Sequence, residues 1–565
     1  MSTRAYYVSG LLGLLLLGAA VSAGSLVAQA GAASAPETNG SAYGIIPKPA
    51  KLSVRSGEFL IDASTKVYAE SRYSDVTRRF LREISAPLGF MPELVVSASP
   101  SAPNAQTSTQ PQGGIHISHR ASLAAEAYTL SITPSLVLIE ASSESGVFYA
   151  FQTLRQMLPA DIYRRSAISG SSWALPAVSI EDAPRFSWRG AHLDVSRHFM
   201  PKEFVLKYID LLALHKLNRF HWHLTDDQGW RIEILKYPRL TEVGSCRDGT
   251  LVGRYVTDPA RQVFDGRRHC GYYSRNDIRE VVAYAAQRMI TVVPEIEMPG
   301  HAQAAIAAYP YLSSRPDTNP GVWRLWGVSP FILNPSDTSV AFMQDVLREV
   351  LELFPSPWIH VGGDEAAKDQ WQASPAIQAR IQTLGLRNEH EMQSWFIGQM
   401  DSFLSAHGRR LIGWDEILEG GLAAGATVMS WRGMDGGIAA ARAGHDVVMA
   451  PVGYTYLDYY QSRDQASEPL AIGGFTPLDS VYALEPVPTS LTEAEAAHVL
   501  GAQAQLWTEY IPGPKQAEYM VFPRLSALSE VVWTSKPQRN FADFMQRLQV
   551  HMKRLDVLDV NYRRP

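Results

Sequence analysis

Trp358-Ile359-His360-Val361-Gly362-Gly363-Asp364-Glu365 is the stretch from which the rest of the chain is best read. An apolar run of strand length meets two glycines, and two adjacent carboxylates follow at once. Neighbours on a regular strand point to opposite faces, so Asp364 and Glu365 serve one pocket only if the backbone bends there. Gly362 and Gly363 permit that bend. Two carboxylates held close do not both ionise cheaply, so one proton stays on the pair near neutral pH, which suits a general acid.

Seven further short apolar runs flank this one: 190–195, 219–224, 291–296, 411–414, 428–431, 446–450 and 503–507. Amphipathic helices are predicted between the early ones, at 202–217, 274–289, 339–354 and 389–407. Eight runs alternating with helices predict an α/β fold with parallel strands, a (β/α)8 TIM barrel over 184–565. A helix over 541–555 is expected to close its wall. The Pro- and Gly-rich segment 458–490 reads as an excursion over one face. Upstream, 44–183 mixes short β-like runs with two helical ones, the second over 144–158, and predicts a small α+β domain with a surface loop at 97–112.

The chain has 565 residues, 46% of them hydrophobic, with a net charge of −5 and no long basic run, which argues against nucleic acid as a partner. Arg4, an apolar core from Leu11 to Ala20 and small residues near Ala23 and Ala30 read as a signal peptide over 1–30. The core is too short to span a bilayer stably, although an uncleaved anchor is the rival reading. Export to the periplasm or medium follows, with a disordered linker at 31–43. Cys246 and Cys270 suit one surface disulfide or two free thiols.

The ends of barrel strands converge on one mouth, so the residues there separate chemistry from packing. The first run leads to Arg197, the second to Asp226, the third to His301 and the fourth to Asp364 and Glu365. The fifth ends at Trp414, the sixth at Trp431, the seventh leads to Tyr456 and Asp458, and the eighth ends at Trp507 and Glu509. Indole faces rimmed by Arg, Asp and Glu have the character of a carbohydrate site. His221, His223, Asp226 and Asp227 are the nearest approach to a metal set. They lack the helical i, i+4 histidine spacing of zinc hydrolases, so no metal or cofactor is expected.

Four motifs, His360-Val361-Gly362-Gly363-Asp364-Glu365, Phe220-His221-Trp222-His223-Leu224-Thr225-Asp226-Asp227, Leu193-Asp194-Val195-Ser196-Arg197-His198-Phe199 and Pro294-Glu295-Ile296-Glu297-Met298-Pro299-Gly300-His301, resemble the signatures of family 20 glycoside hydrolases, the β-N-acetylhexosaminidases. The resemblance runs from about Gly44 to the C-terminus. It implies an exo-acting enzyme that removes terminal GlcNAc or GalNAc with retention, the substrate's own 2-acetamido group acting as nucleophile. Glu365 is then the acid/base, Asp364 the acceptor of the acetamido N–H and Tyr456 a donor to its oxygen. The resemblance also makes Trp414, Trp431 and Trp507 a cage for the acetyl methyl, and Arg197, Asp458 and Glu509 binders of sugar hydroxyls. Asp226 and His301 are a pair that tunes the acid. The alternatives are a lacto-N-biose-releasing enzyme on the same scaffold and a non-catalytic sugar-binding relative. A monomer or homodimer is expected.

Overall fold

In the computed structural model, which describes residues 40–97 and 113–565, the apolar runs become eight parallel strands closed into a barrel. They are Trp188–Asp194, Arg219–His223, Thr291–Glu295, Trp358–His360, Arg410–Trp414, Thr427–Ser430, Val447–Met449 and Val499–Ala504. Each pairs with its neighbour in sequence, and the eighth returns to the first with Gln503 opposite Gly190. Register sets the site, because Asp194 lies opposite His223, His223 opposite Glu295 and Glu295 opposite His360. Four polar strand ends therefore stand at one level of the mouth.

The helix Arg275–Ala286 starts from a Ser274–Asp277 capping box and buries Ile278, Val281 and Ala285. Three expectations need correction. The eighth strand is Val499–Ala504 rather than 503–507. Gly501, at φ +150°, is a bulge that lets the strand begin early: a Cβ there would lie 1.9 Å from the Trp188 carbonyl oxygen. The helix Phe541–Val557 does not close the wall. It packs on the turns Gly40–Tyr43 and Ala160–Tyr163, while Arg524–Trp533, buried along its whole length, lies against the eighth and first strands. A helix buried on every side has no amphipathic stripe to read. Finally, Gly40–Tyr43, taken as part of a disordered linker, is a 3-10 turn with Ser41 buried. The signal segment, the rest of the linker and loop residues 98–112 lie outside the described residues.

Upstream of the barrel, seven strands form one mixed sheet with Lys51–Leu60 and Glu93–Ser97 at its edges. Two of them, Lys66–Glu70 and Ala174–Asp182, add to the runs read from sequence. The helix Glu144–Met157 buries 11 of its 14 residues, too many for one face. It is covered by the sheet on one side and by the barrel's base on the other, where Gln156 Nε2 donates to the Leu214 carbonyl at 3.0 Å. At the same seam Asp182 accepts from Lys216 Nζ at 2.9 Å, Tyr128 Oη at 2.7 Å and Trp533 Nε1 at 2.9 Å. Neither charged side chain of that ion pair is solvent-accessible.

Removing one partner of a buried ion pair strands the other charge in low dielectric, a cost of about 3–5 kcal/mol. Asp182→Ala is therefore expected to lower unfolding free energy by about that amount, read from the midpoint of a urea titration. Lys51→Ala, which breaks only the exposed pair with Glu181, is expected to change it by less than about 1 kcal/mol.

Candidate active site

The fourth strand leaves its ladder after His360. Val361 N still donates to the Ile412 carbonyl at 3.0 Å, then Gly362, Gly363 and Glu365 take φ values of +66°, +94° and +45°. The bend is fixed from both sides: Trp414 N donates to the Gly362 carbonyl at 2.9 Å, and Gln393 Nε2 to that of Gly363 at 2.6 Å. Gly362 is required for a second reason, since a Cβ there would sit 1.8 Å from Glu297 Oε2. The turn brings Asp364 and Glu365 into one cavity of ≈ 170 Å³.

The same cavity is lined by Arg197, His301, Trp414, Trp431, Tyr456, Asp458, Trp507 and Glu509. Of the residues read from sequence as catalytic or sugar-binding, Asp226 alone stays behind the wall, where its Oδ2 accepts from Arg197 Nη2 at 2.8 Å and its Oδ1 lies 3.2 Å from His301 Nδ1. Asp194 ties the loops after the first and eighth strands together. Its Oδ1 accepts from the Ser196 and Arg197 backbone N–H groups at 2.7 and 3.1 Å, and its Oδ2 from the Thr508 N–H at 3.0 Å. Arg197 and Glu509 are thereby held beside one another, with the Arg197 guanidinium 5.0 Å from the centroid of the Trp507 ring.

Beneath the cavity floor, Glu295 contacts groups from three other strands. Its carboxylate accepts from Trp414 Nε1 at 2.8 Å and lies 3.0 Å from His221 Nε2 and 2.8 Å from His360 Nδ1, with His223 Nδ1 in closer contact still. This network sets the plane of Trp414, whose ring centre is 5.7 Å from that of Trp507. Trp431 is held by its Nε1 donating to Glu416 Oε2 at 3.0 Å and stacks on Tyr456 at 6.1 Å. Sequence reading did not pick out the last two wall residues, Tyr459 and Ile472. Tyr459 had one available signal, its adjacency to Asp458. Ile472 comes from the long excursion, and nothing in its neighbours marks it.

The electrostatics divide the carboxyls into two groups. Burial works against charge on His301, yet Asp226 and Asp364 hold its imidazolium well above the ordinary histidine range. Its Nε2 reaches Glu365 Oε2 at 3.5 Å and Asp364 Oδ2 at 3.6 Å. The hydrogen bond to His301 holds Glu365 below its usual range, whereas burial, with Glu295 and Glu365 nearby, pushes Asp364 up to about 6. Of the two, Asp364 is therefore the one that holds a proton more readily. Burial and the neighbouring Glu509 also push Asp458 well up, and burial raises Glu509. Asp364 Oδ1 and Asp458 Oδ1 are buried without a hydrogen-bond partner, as acceptors awaiting a polar ligand would be.

Several His and carboxylate groups approach within metal-binding reach of one another, among them Asp226, Asp227 and His301, and His223, Glu295 and Glu297. Their donor atoms are largely committed. Asp227 accepts from Gln303 N at 2.9 Å, Asp226 is paired with Arg197, and Glu295 accepts from Trp414 Nε1 and is in contact with His223. These sets read as hydrogen-bonded networks that carry charge.

A carboxyl whose pKa is raised on folding binds its proton more tightly folded than unfolded, so stability falls as pH rises through the interval between the two values. For Asp364 that interval runs from about pH 4 to about pH 6. Asp364→Asn is expected to remove this loss, so that its stability relative to wild type increases from pH 4 to pH 6. Denaturant melts at the two pH values measure it.

The chain matches two family profiles: "Glycosyl hydrolase family 20, catalytic domain" over residues 186–536 and "Glycosyl hydrolase family 20, domain 2" over 42–183. It is 44% identical to a beta-hexosaminidase of Porphyromonas gingivalis over 92% of this chain, and spans 64% of that protein's length. A beta-hexosaminidase of Vibrio furnissii is 34% identical over 87% of this chain and 77% of its own. Among solved structures, the exo β-N-acetylglucosaminidase of Vibrio harveyi in complex with N-acetylglucosamine superposes with a TM-score of 0.79 at 33% identity, covering 93% of this chain and 79% of the other. With its barrel, its small domain and the kinked Asp364-Glu365 pair in place, this chain belongs to glycosyl hydrolase family 20.

Proposed function

We propose that the protein is an exo-acting β-N-acetylhexosaminidase that releases terminal GlcNAc or GalNAc with retention of configuration. The observation that carries this reading is the pair of consecutive carboxyls, Asp364 and Glu365, turned by a glycine kink into one cavity walled by Trp414, Trp431 and Trp507. Likeness to an exo β-N-acetylglucosaminidase favours a monosaccharide-releasing enzyme over one releasing lacto-N-biose.

A retaining enzyme that uses its own nucleophile needs a second, ionised carboxylate across the sugar from the acid. Family 20 is among the exceptions in which the substrate supplies the nucleophile, so for this chain the nucleophile is proposed to be the substrate's acetamido oxygen. It attacks C1 as the glycosidic C–O bond breaks, and the departing oxygen takes the Glu365 proton. The resulting oxazolinium is opened when water adds to C1 and gives its proton back to Glu365. Two displacements at C1 leave its configuration unchanged.

Asp364 holds a proton more readily than Glu365, a balance that substrate would have to shift. An acetamido N–H donating to Asp364 stabilises the carboxylate form, and the charge so created raises the affinity of Glu365 for the proton. Binding thus arms the acid. Tyr456 is placed to donate to the acetamido oxygen, and the indoles to enclose its methyl. Export is proposed from the N-terminal pattern around Arg4 and Leu11–Ala20 and is supported by the disulfide joining Cys246 to Cys270. Among the described residues no helix is long and apolar enough to cross a membrane.

Nitrophenyl glycosides of GlcNAc, GalNAc and lacto-N-biose, assayed side by side, test the reading; turnover of the last alone would overturn it. Glu365→Gln is expected to cut kcat/KM by about 10²–10⁴ on alkyl glycosides, which need protonation of the leaving oxygen. Dinitrophenyl glycosides, with an aglycone stable as an anion, should lose much less. Equal losses would remove Glu365 from the acid's role.

A further inference from the structure

Arg524, the first residue of the helix Arg524–Trp533, is fully buried and, among the described residues, makes no ion pair. A guanidinium taken out of water without a counter-charge is costly unless its donors are used. Here every N–H group is used: Nη1 donates to the carbonyls of Tyr459 at 3.0 Å and Thr476 at 2.7 Å, Nη2 to those of Leu457 and Met520, both at 2.6 Å, and Nε to that of Met520 at 3.2 Å. Met520 lies in the last turn of the helix Pro514–Val521, where carbonyls lack a partner within the helix and a cation is favoured.

The other three carbonyls belong to the loop that follows the seventh strand. Leu457 and Tyr459 flank Asp458 just beyond Tyr456, and Thr476 is where the excursion 461–475 comes back, its N–H donating to the Tyr460 carbonyl at 2.9 Å. Upstream, Tyr456 bridges to Gln505 beyond the eighth strand, with Leu457 N donating to the Gln505 carbonyl at 2.8 Å. Downstream the chain leaves the barrel, and the Arg524 fork joins the departing arm to the returning one. The returning arm bears on the cavity wall, since a Cβ at Gly474, φ +63°, would lie 2.0 Å from Tyr459 Cδ2. From the first tie at Leu457 to the last at Thr476 come Asp458, Tyr459 and Ile472, all of which line the catalytic cavity. The guanidinium charge also draws the proton affinity of Asp458 down, against burial and Glu509, which push it up.

We propose that Arg524 is a positioning residue for glycoside cleavage: by closing the excursion at its base it sets the turn from which Tyr456 meets the acetamido oxygen, without touching the sugar itself. Arg524 lies outside the cavity, and its role, which rests on the catalytic reading above, is to hold Tyr456 and Asp458 in place.

Arg524→Lys keeps the charge but not the planar fork, and Tyr456→Phe removes the donor to the acetamido oxygen. The two single variants and the double variant of the full chain are assayed on an aryl N-acetylglucosaminide, with each rate scaled to the fraction folded by tryptophan fluorescence. Arg524→Lys is expected to lower kcat by about 10- to 10²-fold, the range that a misplacement of about 1 Å produces, with a smaller change in KM. In the Tyr456→Phe background the same substitution is expected to cost less than about twofold, because residues that act as a unit are non-additive. Tyr460→Phe removes a different tie within the excursion, where Tyr460 Oη accepts from Arg254 Nη2 at 2.8 Å and from Ala471 N at 3.3 Å, and leaves the Arg524 fork intact. Its kcat is expected to stay within about twofold of wild type, and a loss there as large as that expected of Arg524→Lys overturns the proposal whether or not the lysine variant folds. Equal losses in both backgrounds, or a wild-type kcat in Arg524→Lys, overturn the proposal and leave the role of Tyr456 standing. A Tyr456→Phe enzyme with wild-type kcat overturns that role, and the proposal with it.

Discussion

One carboxylate, that of Glu295, has a hold on four neighbouring strands. It sits on the third, gathers His221 and His223 from the second and His360 from the fourth, and fixes the indole of Trp414 on the fifth. Burial would push its proton affinity up, but the three imidazoles hold it well below the ordinary range, while His223 is held up to about 10 and burial drives His221 down to about 4. The barrel interior under the site thus centres on the contact of Glu295 with His223. A buried charge is tolerated only when so fully partnered, and the cost of leaving any member unpaired keeps the others in one arrangement. The wall of the cavity inherits that rigidity.

The kink at Gly362 depends on the same layer from the other side. Glu297, two residues beyond Glu295, fills the space a Cβ would take at Gly362, and burial with Asp364 and Glu295 nearby keeps its proton on well above the ordinary range. Its packing lets the chain pass close and turn. Asp364 and Glu365 then differ by environment alone: the first has 11% of its side chain exposed, and the second 41%. That asymmetry pushes the proton affinities of two adjacent acids apart, Asp364 upward and Glu365 downward.

Strand-end chemistry was legible because the residues that make it, Trp414, Trp431, Trp507 and the acids beside them, are costly to place at random beyond an apolar run. The disulfide was open between two readings until Cys246 and Cys270 were found on paired strands. What escaped had no local signature. Arg524–Trp533 lacks a polar face because the structure covers all of it, Val499 joins the ladder through a glycine bulge, and Ile472 is brought to the cavity by the course of a long excursion. Such features are set by tertiary contact, which a periodicity count does not register.

The seam between the domains has a practical consequence. Lys216 and Arg189, both cations fully enclosed at the base of the barrel, take their counter-charges from Asp182 and Glu126 of the preceding sheet domain, at 2.9 and 2.8 Å. A barrel expressed by itself would keep both positive groups and lose both acids, along with the layer that shields them from water. The catalytic half is accordingly not a transplantable module, and a chimera that borrows it has to carry the smaller partner with it or redesign the two cations first.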